Sequence, residues 1–552
     1  MARLAVKNQA STPEFQERFR NQASIEPSWT RGSGFEGWDL RFLRILVVGV
    51  WSFLAVVSLA AEQATSQWVH YNSGGKLVYK TSPGGDRIMD FSSAGYMGGG
   101  VAIPTLPVRA TVSPSGGDDT SAIQDAVDSV SRLPLAGGIR GAVLLKPGVY
   151  NCRNVLSLKT SGVVLRGSGA ENTTLHMMGP PHVCISVSGL SSVQEVGKRV
   201  RMTDWYVPSG ASSFQVENVS VFKFGDQIRV IRPVTGTWVK FMGMDRLVRD
   251  GQKETWLSAP GELYAERKIV GIQGNRIELD IPLTDCFDQR YLRPPGGYVV
   301  KCERTGGLAQ VGIEQLRILS APQPVEISER HNQAIRLNGV TDGWLRDLLV
   351  EDTVNSISIA GGARRVTVEN VVFKHTVATK GAAKPMDLSA SGAQILFNRC
   401  SGNGDNIFYF VTGPRVTGPV VLLNCTFYGN GHIQPHARWA TGLLVDNCQV
   451  PESGIDFMNR GEMGSGHGWT IGWAVAWNCT AKSYVIQQPP GSANWAIGCK
   501  GQRLESGMPF GHEPKLPEGI YDSHGTPIEP ESLYLAQLRE RLGPQAVRNI
   551  GY

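Results

Sequence analysis

The chain has 552 residues, of which 65 are glycine; this is about 12%, against the ~7% of average proteins, and only 18% are charged. The composition is too apolar for a disordered protein, and it lacks both the Gly-X-Y period of collagen and the heptads of a coiled coil. The net charge of +6 is mild and comes with no basic run or known module, which argues against nucleic acid as a partner.

An apolar segment near the amino terminus predicts export. Residues 45–61 are apolar or small and follow Arg41 and Arg44, as in the hydrophobic region of a secretory signal. The run is also nearly long enough to span a bilayer, so it predicts either cleavage after Ala60 or a single membrane anchor. We assign residues 1–60 to this extension and expect the remainder to be secreted, periplasmic or at the cell surface, with no other membrane contact.

Residues 61–187 predict the beginning of a solenoid and its cap. The segment GGDDTSAIQDAV at 116–127 indicates an amphipathic helix that Asp119 or Thr120 caps. Its apolar face consists of Ile123, Ala126, Val127 and Val130. Strands with Gly-containing turns follow at 141–150 (GAVLLKPGVY) and 161–169 (SGVVLRGSG). Because an open solenoid end needs a lid over its core, we expect the helix to supply it.

Residues 188–302 interrupt the solenoid pattern and predict a small β insertion. The segments 225–234 and 274–285 read as strands bounded by Gly-Asp and Gly-Asn turns. Trp238 and Trp256 lie between them and either grip a substrate beside a cleft or anchor the insertion.

A repeat of 20–31 residues dominates residues 303–502. Cysteine recurs at intervals of 25, 23, 31 and 20 residues after short apolar runs, three times directly after Asn. The positions are Cys400, Cys425, Cys448, Cys479 and Cys499. Short strands at this period predict a parallel β-helix whose cysteines stack in the core and whose asparagines stack in a column. With no C-x-x-C pair, the nine cysteines indicate neither a zinc site nor a disulfide framework.

Residues 503–552 predict a carboxyl-terminal tail with a packing helix. Ser532 caps the segment 533–542, and Gly543 with Pro544 ends it. We expect this helix to pack on the last coils as a second cap or a lateral clamp.

Three motifs in order, GGDDTSAIQDAV, GAVLLKPGVY and SGVVLRGSG, resemble the opening of pectate lyase superfamily proteins, which include rhamnogalacturonase-like and epimerase-like β-helices. Together with the repeat, the resemblance implies an all-β chain: a single-stranded right-handed parallel β-helix of the pectin lyase-like kind, with a capping helix and a small β insertion. The scaffold serves lyases, hydrolases, epimerases and phage tailspikes, so it does not select the reaction.

The segment 432–495 concentrates residues that a β-helix coil does not need. Tryptophan faces suit sugar rings, while histidine and arginine suit carboxylates and hydroxyls, so we expect a polysaccharide cleft there. The substrate-binding candidates are Trp439, Trp469, Trp473, His432 and Asn459. The alternative is a wide, well-packed turn in which the tryptophans stack and the histidines are hydrogen-bonded.

Lysis of a uronate polymer requires a base for the proton next to the carboxylate and cations for the developing enolate. His436 or His467 is the candidate base, and Arg438 or Arg460 the candidate clamp. No motif demands a cofactor. Many lyases that share the resemblance use Ca²⁺ with an Arg or Lys base, and Asp387, Asp405 and Asp446 are the candidate oxygen ligands.

Hydrolysis requires two carboxyl groups on opposite sides of the scissile bond. Asp456 and Glu462 are the candidates, with Asp446 and Asp405 behind them. The sequence GHGWTIG at 466–472 is similar to the GHG motif of polygalacturonases, which implies that His467 is catalytic and Asp456 an acid. The paired Asp and the Arg-x-Lys of that family are not found.

These observations predict an exported polysaccharide-degrading enzyme whose partner is an acidic, uronate-containing glycan that it cleaves by β-elimination. A glycoside hydrolase of the polygalacturonase-like type is the first alternative. The second is a non-catalytic surface β-helix that binds glycan. The polymer, its linkage and the oligomeric state are not predicted.

Overall fold

Short strands joined by turns stack into three columns of parallel strands in the computed structural model, which describes residues 64–505 and 516–552. The predicted fold class, a single-stranded right-handed parallel β-helix, is confirmed. The described residues belong to one compact unit. No helix among them is long and apolar enough to cross a membrane. The apolar segment 45–61 lies outside the described residues.

The first column contains the longest run of paired strands. In stacking order its strands are Val108–Val112, Gly141–Leu145, Val163–Arg166, Leu308–Ala309, Gly312–Leu319, Val340–Glu351, Arg364–Lys374, Ala393–Asn398, Thr417–Leu423, Ala440–Asp446, Ile471–Gly472, Val475–Trp477, Trp495–Ile497 and Ile520–Asp522.

The other two columns lie after successive bends in each coil. The second contains Gly148–Cys152, Thr173–Met177, the later halves of the three longest first-column strands, Ser401–Asn403, Thr426–Tyr428, Gln449–Phe457, Thr480–Ile486 and Lys500–Arg503. The third contains Leu156–Leu158, Val183–Ser188, Gln333–Asn338, Ile357–Ile359, Met386–Ala390, Phe408–Thr412 and His432–Ile433, and then joins the later half of Gln449–Phe457.

The cysteine repeat in the sequence corresponds to the bend between the first and second columns of strands. All five repeating cysteines are buried and free, as predicted. The residue before each bend adopts a left-handed conformation, with φ between 49° and 55°, at Asp347, Asn370, Arg399, Asn424, Asn447 and Asn478, which we call the left-handed turn column. Asn tolerates this region better than most residues, which explains the recurring Asn-Cys pair. The Asn447 side-chain amide donates to Asn424 Oδ1 at 2.7 Å, so these asparagines stack as predicted.

The capping helix forms at Thr120–Ser131, and Ile123, Val127 and Val130 are buried in the main core. The predicted Asp119 cap is replaced by another arrangement: the Asp118 carboxylate accepts from Thr120 N at 3.0 Å, whereas Asp119 accepts from neighbouring backbone amides. The helix therefore covers the core as expected, although its first turn is held by the preceding residue.

The coil strands end at Ser188 and resume at Leu308, and the residues between them form a separate antiparallel sheet. In spatial order its strands are Ser192–Arg201, Tyr298–Thr305, Gln227–Val234, Gly261–Gln273, Arg276–Leu279 and Ser213–Gln215. Smaller elements here are the strand pairs Tyr206–Val207 with Phe287–Asp288 and Val248–Arg249 with Gln252–Lys253, and the helices Gly236–Phe241 and Gln289–Leu292.

The tail forms a clamp along the side of the coils. The helix Leu533–Leu542 begins at Ser532, whose hydroxyl accepts from Leu535 N at 3.1 Å, and ends at Gly543 with φ 80°, as predicted. It packs on the coils and on amino-terminal residues such as Phe91. The remaining elements are the strand pairs Val69–Tyr71 with Leu77–Tyr79 and Ala64–Thr65 with Ile528–Glu529, and the helices Tyr96–Gly98, Met463–Gly466 and Pro544–Asn549.

Candidate functional site

The third column carries a histidine–carboxylate pair on its outer side. His432 Nδ1 lies 2.7 Å from Asp456 Oδ2, and the same oxygen accepts from Gln434 Nε2 at 2.8 Å. Because a carboxylate only accepts, Nδ1 donates and the Nε2 lone pair is free to act as a base. Asp456 is buried, whereas the His432 side chain is 29% exposed. Nε2 makes no hydrogen bond within the described part of the chain, so this pair has the geometry of an oriented general base.

Two cations lie against the phenyl ring next to this pair. Lys384 Nζ is 5.9 Å and Arg460 Cζ 5.5 Å from the centroid of Phe408, which pairs with His432 in the adjacent coil. Burial lowers the pKa of Lys384; Asp456 opposes this shift and Arg460 adds to it. Lys384 is half-buried, whereas Arg460 is 6% exposed, so Lys384 is the cation that can reach a bound anion.

His436 and His467 form a hydrogen-bonded chain that uses all four ring nitrogens. Arg460 Nη1 donates to His436 Nδ1 at 3.1 Å, and Nη1 also donates to the His436 carbonyl at 3.0 Å. His436 Nε2 then donates to His467 Nε2 at 3.0 Å, and His467 Nδ1 donates to the Met463 carbonyl. Both rings are therefore neutral, with their tautomers set by their neighbours.

The electrostatics of this chain agree with its hydrogen bonds. Burial, together with the nearby Arg460 and His467, lowers the pKa of His436 to about 3. Burial and Arg460 likewise lower the pKa of His467 to about 4. Since neither ring has a lone pair directed at solvent, we move the candidate base from these two residues to His432. His436, His467 and Arg460 instead hold the loop after the third column.

The other predicted polar candidates stabilise that loop or lie at its edge. Arg438 donates to the Ser465 hydroxyl at 2.7 Å. The Asn459 side chain accepts from Gly461 N at 2.8 Å, and its own backbone amide donates to Gln487. Glu462 is exposed and directly precedes the helix Met463–Gly466. The structure thus does not pair Glu462 with Asp456 through any contact.

Two of the tryptophans predicted to bind sugar, Trp439 and Trp469, are packing residues, which corrects the prediction for these two. Trp439 and Trp469 are each 2% exposed and lie in the core of the insertion with Trp238 and Trp256. Trp469 Nε1 donates to the Met242 carbonyl at 3.1 Å. Buried rings offer no face to a ligand, so the four residues anchor the insertion to the coils.

Asp285 connects two of these coil tryptophans to the insertion. Its carboxylate accepts from Trp439 Nε1 at 2.7 Å and from Trp473 Nε1 at 3.1 Å, and it lies 3.3 Å from Arg232. Trp473 is likewise mostly buried, although its ring lines a cleft described below.

The glycines around His467 allow the loop to approach the insertion. A Cβ on Gly468 would lie 2.4 Å from Trp256, and one on Gly466 would lie 2.9 Å from Glu254. Both glycines also have positive φ. The GHG sequence therefore reflects close packing of the loop against the insertion.

The three candidate Ca²⁺ ligands lie in separate environments. Asp446 is buried and accepts from the Ser532 hydroxyl and Tyr534 N, both at 2.7 Å, and burial raises its pKa to about 7. Asp387 is buried against His375 Nε2 at 2.8 Å, and Asp405 accepts from Asn430 N. Across residues 64–505 and 516–552 no three His, Cys, Asp or Glu side chains are grouped to hold a metal ion. These positions do not fit a Ca²⁺ site.

Sequence reasoning missed Lys384, Phe408 and the pairing of His432 with Asp456. The signal was partial, because successive third-column strands pair Met386 with Phe408, Phe408 with His432 and Ile433 with Ile455, a coil spacing of 22 to 24 residues that places Asp456 in the coil next to His432. Residues spaced by a coil length stack on one face.

No family model and no curated protein matches the chain. Among solved structures, it is similar to a tailspike of Acinetobacter baumannii bacteriophage AP22 in complex with capsular saccharide, at 10% identity over 73% of this chain and 71% of that one, with a TM-score of 0.26. It is also similar to the A-module of Azotobacter vinelandii mannuronan C-5 epimerase AlgE6, at 12% identity over 70% and 71%, with a TM-score of 0.32. A tailspike of Escherichia coli bacteriophage HK620 gives 10% identity over 84% and 70%, with a TM-score of 0.36.

Proposed function

We propose that this protein cleaves a uronate-containing polysaccharide by β-elimination, with His432 as the base. The observation that supports this most directly is the oriented His432–Asp456 pair beside Lys384 on the solvent side of the third column. A base and a cation side by side are the two groups that removal of a proton next to a carboxylate requires.

In the proposed reaction, Lys384 binds the substrate carboxylate and makes the neighbouring C–H more acidic. His432 Nε2 takes this proton, and the C–H electron pair forms a carbon–carbon double bond while the bond to the leaving sugar oxygen breaks. That oxygen takes a proton from the imidazolium or from water. Asp456 keeps the imidazole oriented and stabilises its cation, while Arg460, behind Phe408, adds positive potential.

Hydrolysis by a carboxylate pair has less support. Asp446 is enclosed by the carboxyl-terminal helix, and Asp456 already accepts from His432 and Gln434. The lyase proposal uses this His432–Asp456 contact and Lys384, which lies over Phe408.

The test is turnover of uronate polysaccharides such as polygalacturonate, alginate and hyaluronan, measured as ultraviolet absorbance of the unsaturated uronate product. We expect H432A to lose about 10²–10⁴-fold in kcat because it lacks the general base. We expect K384M to lose about 10–100-fold in kcat/KM, in line with the ~1.5–3 kcal/mol of a charged hydrogen bond.

His176 provides a matched control, since it is also a half-buried histidine on an outer strand position but lies in the second column. H176A should keep full turnover. Reducing ends without unsaturated product would favour hydrolysis, and binding without any product would favour the non-catalytic alternative. Full activity in H432A would refute the assigned base.

A further inference from the structure

A cleft lies where three distant parts of the chain meet, and neither His432 nor Asp456 lines it. Its volume is about 640 Å³. Its walls come from the amino-terminal segment, the insertion and the last coils, through residues such as Trp68, Trp205 and Trp495. None of the catalytic groups proposed above lines it.

The walls of this cleft are aromatic. Trp68 packs edge-on against Trp495 with ring centroids 5.5 Å apart, and Trp473 lies 6.0 Å from Trp495. Trp205, on the insertion side, is 60% exposed, which is unusual for such a large apolar ring. Exposed and half-exposed indole rings around one concave surface match the apolar faces of pyranose rings.

Two polar groups in this cleft lack a partner within the described part of the chain. Trp495 is 1% exposed and its Nε1 makes no hydrogen bond, and the Ser492 hydroxyl is likewise buried and unpaired. A buried donor without a partner destabilises the folded chain, so a ligand that offers oxygen atoms here would recover the lost hydrogen bond. Sugar hydroxyls can accept from an indole N–H and can exchange hydrogen bonds with a serine.

The charges in the cleft distinguish between classes of sugar. Asp86 and Asp288 line it together with a single guanidinium, Arg290, which is paired with Asp288 at 2.5 Å. Asp86 accepts from Tyr206 Oη and from Ser209 N, so it is held as a hydrogen-bond acceptor. Among the lining residues two carboxylates thus stand against one guanidinium, which favours a neutral sugar whose hydroxyls donate to carboxylates. Two further cations, Lys80 and Arg293, lie outside the lining, over the rings of Trp68 and Trp205.

We propose that this cleft binds neutral hexose or N-acetylhexosamine units of a glycan, as a site separate from the uronate-cleaving face. This proposal depends on the proposed function only in taking the ligand to be a glycan. The two sites would then recognise different parts of a mixed polysaccharide: the cleft holds neutral units, and the His432 face acts on a uronate.

The test is isothermal titration of the full chain in the H432A background, which prevents turnover, with cellohexaose, chitohexaose and hexagalacturonate. We expect at least one neutral hexasaccharide to bind, W205A to weaken it about tenfold or more, and S492A about threefold or more. Phe224 is 74% exposed, lies in the insertion and does not line the cleft, so F224A is the matched control and should bind like its parent.

Binding that is unchanged in both W205A and S492A, or absent for both neutral probes, would overturn the proposal. Hexagalacturonate binding that is lost in W205A would overturn the charge argument. Lyase activity in the wild type without cleft binding would refute this site alone. Cleft binding together with full activity in H432A would refute the catalytic assignment and leave the cleft in place.

Discussion

Asn447 offers a quantitative test of the left-handed turn column that sets the register of the coils. Its backbone has φ 52°, its amide N–H donates to the Trp477 carbonyl at 2.8 Å, and its side chain donates to Asn424 Oδ1 at 2.7 Å. The residue therefore contributes in two separable ways, through a backbone conformation and through a side-chain hydrogen bond.

Two substitutions separate these contributions. N447G keeps the left-handed conformation and loses the hydrogen bond, about 1 kcal/mol, plus about 0.5–1 kcal/mol for the greater freedom of glycine in the unfolded chain. N447A loses the same bond and keeps a Cβ in the left-handed region without the short polar side chain by which Asn tolerates it, which costs about 1–2 kcal/mol more. We expect losses in the free energy of unfolding of about 1–2 kcal/mol for N447G and about 2–3 kcal/mol for N447A.

The assay is equilibrium urea unfolding followed by tryptophan fluorescence and far-ultraviolet circular dichroism, whose transitions must coincide for a two-state free energy. Asn403 is the control: it is exposed at the end of the strand Ser401–Asn403 and is not among the residues with positive φ. There the order should reverse, with glycine more destabilising than alanine by about 0.5–1 kcal/mol. If N447A is as stable as N447G, the left-handed turn does not determine stability at this bend.

Three further predictions follow from the site and its surroundings. Because the pKa values of His436 and His467 lie at about 3 and about 4, the unfolded chain binds protons first as the pH falls below ~6.5. The free energy of unfolding should therefore fall with decreasing pH by up to ~1.4 kcal/mol per unit for each ring, and H467Q should show a shallower dependence in thermal melts between neutral pH and pH ~4.5. D446A should cost about 2–4 kcal/mol and speed hydrogen exchange in the carboxyl-terminal helix, because it removes the acceptor for that helix's first turn; unchanged exchange would contradict this anchoring role. W439F should cost about 1.5–3 kcal/mol by leaving Asp285 short of a donor, and glycan affinity in titration should not change.

The bends of the solenoid were predictable because each is a local event with a fixed composition. A short apolar run, a residue that tolerates positive φ and a small buried cysteine recur with each coil, and the structure places Cys425, Cys448 and Cys479 one above the other. The capping helix was predictable for the same reason, since its apolar face and its turn residues are adjacent in sequence. The residue that caps this helix was not predictable, because Asp118 and Asp119 are chemically alike. Which of the two accepts from the first turn depends on backbone amides that are distant in sequence.

The proposed site lies within the segment that composition indicated, but its base is a different histidine from those predicted. His432 lies on a coil strand with its ring directed outward, whereas His436 lies four residues later, beyond the strand His432–Ile433, where the chain turns towards the loop. Amino-acid composition alone does not distinguish His432 from His436 as the candidate base. What distinguishes them is the strand register, which pairs Ile433 with Ile455 and so brings Asp456 to the coil next to His432, and this register is read from coil length rather than from a motif.

The tryptophans show why composition alone could not locate the sugar site. Large rings beside glycines are selected both by a sugar-binding cleft and by the docking of an inserted sheet on the coils, since each needs flat apolar surface and close backbone approach. The two cases differ in whether the indole N–H has a hydrogen-bond acceptor within the protein. Trp439 and Trp469 donate to Asp285 and to a backbone carbonyl, as permanent packing requires, whereas Trp495 has no partner and faces an open cleft. A buried donor that the protein leaves unpaired is thus the stronger indication of a ligand, and for that reason our proposal puts the sugar contacts at the Trp495 N–H and the exposed Trp205 ring rather than beside the histidines.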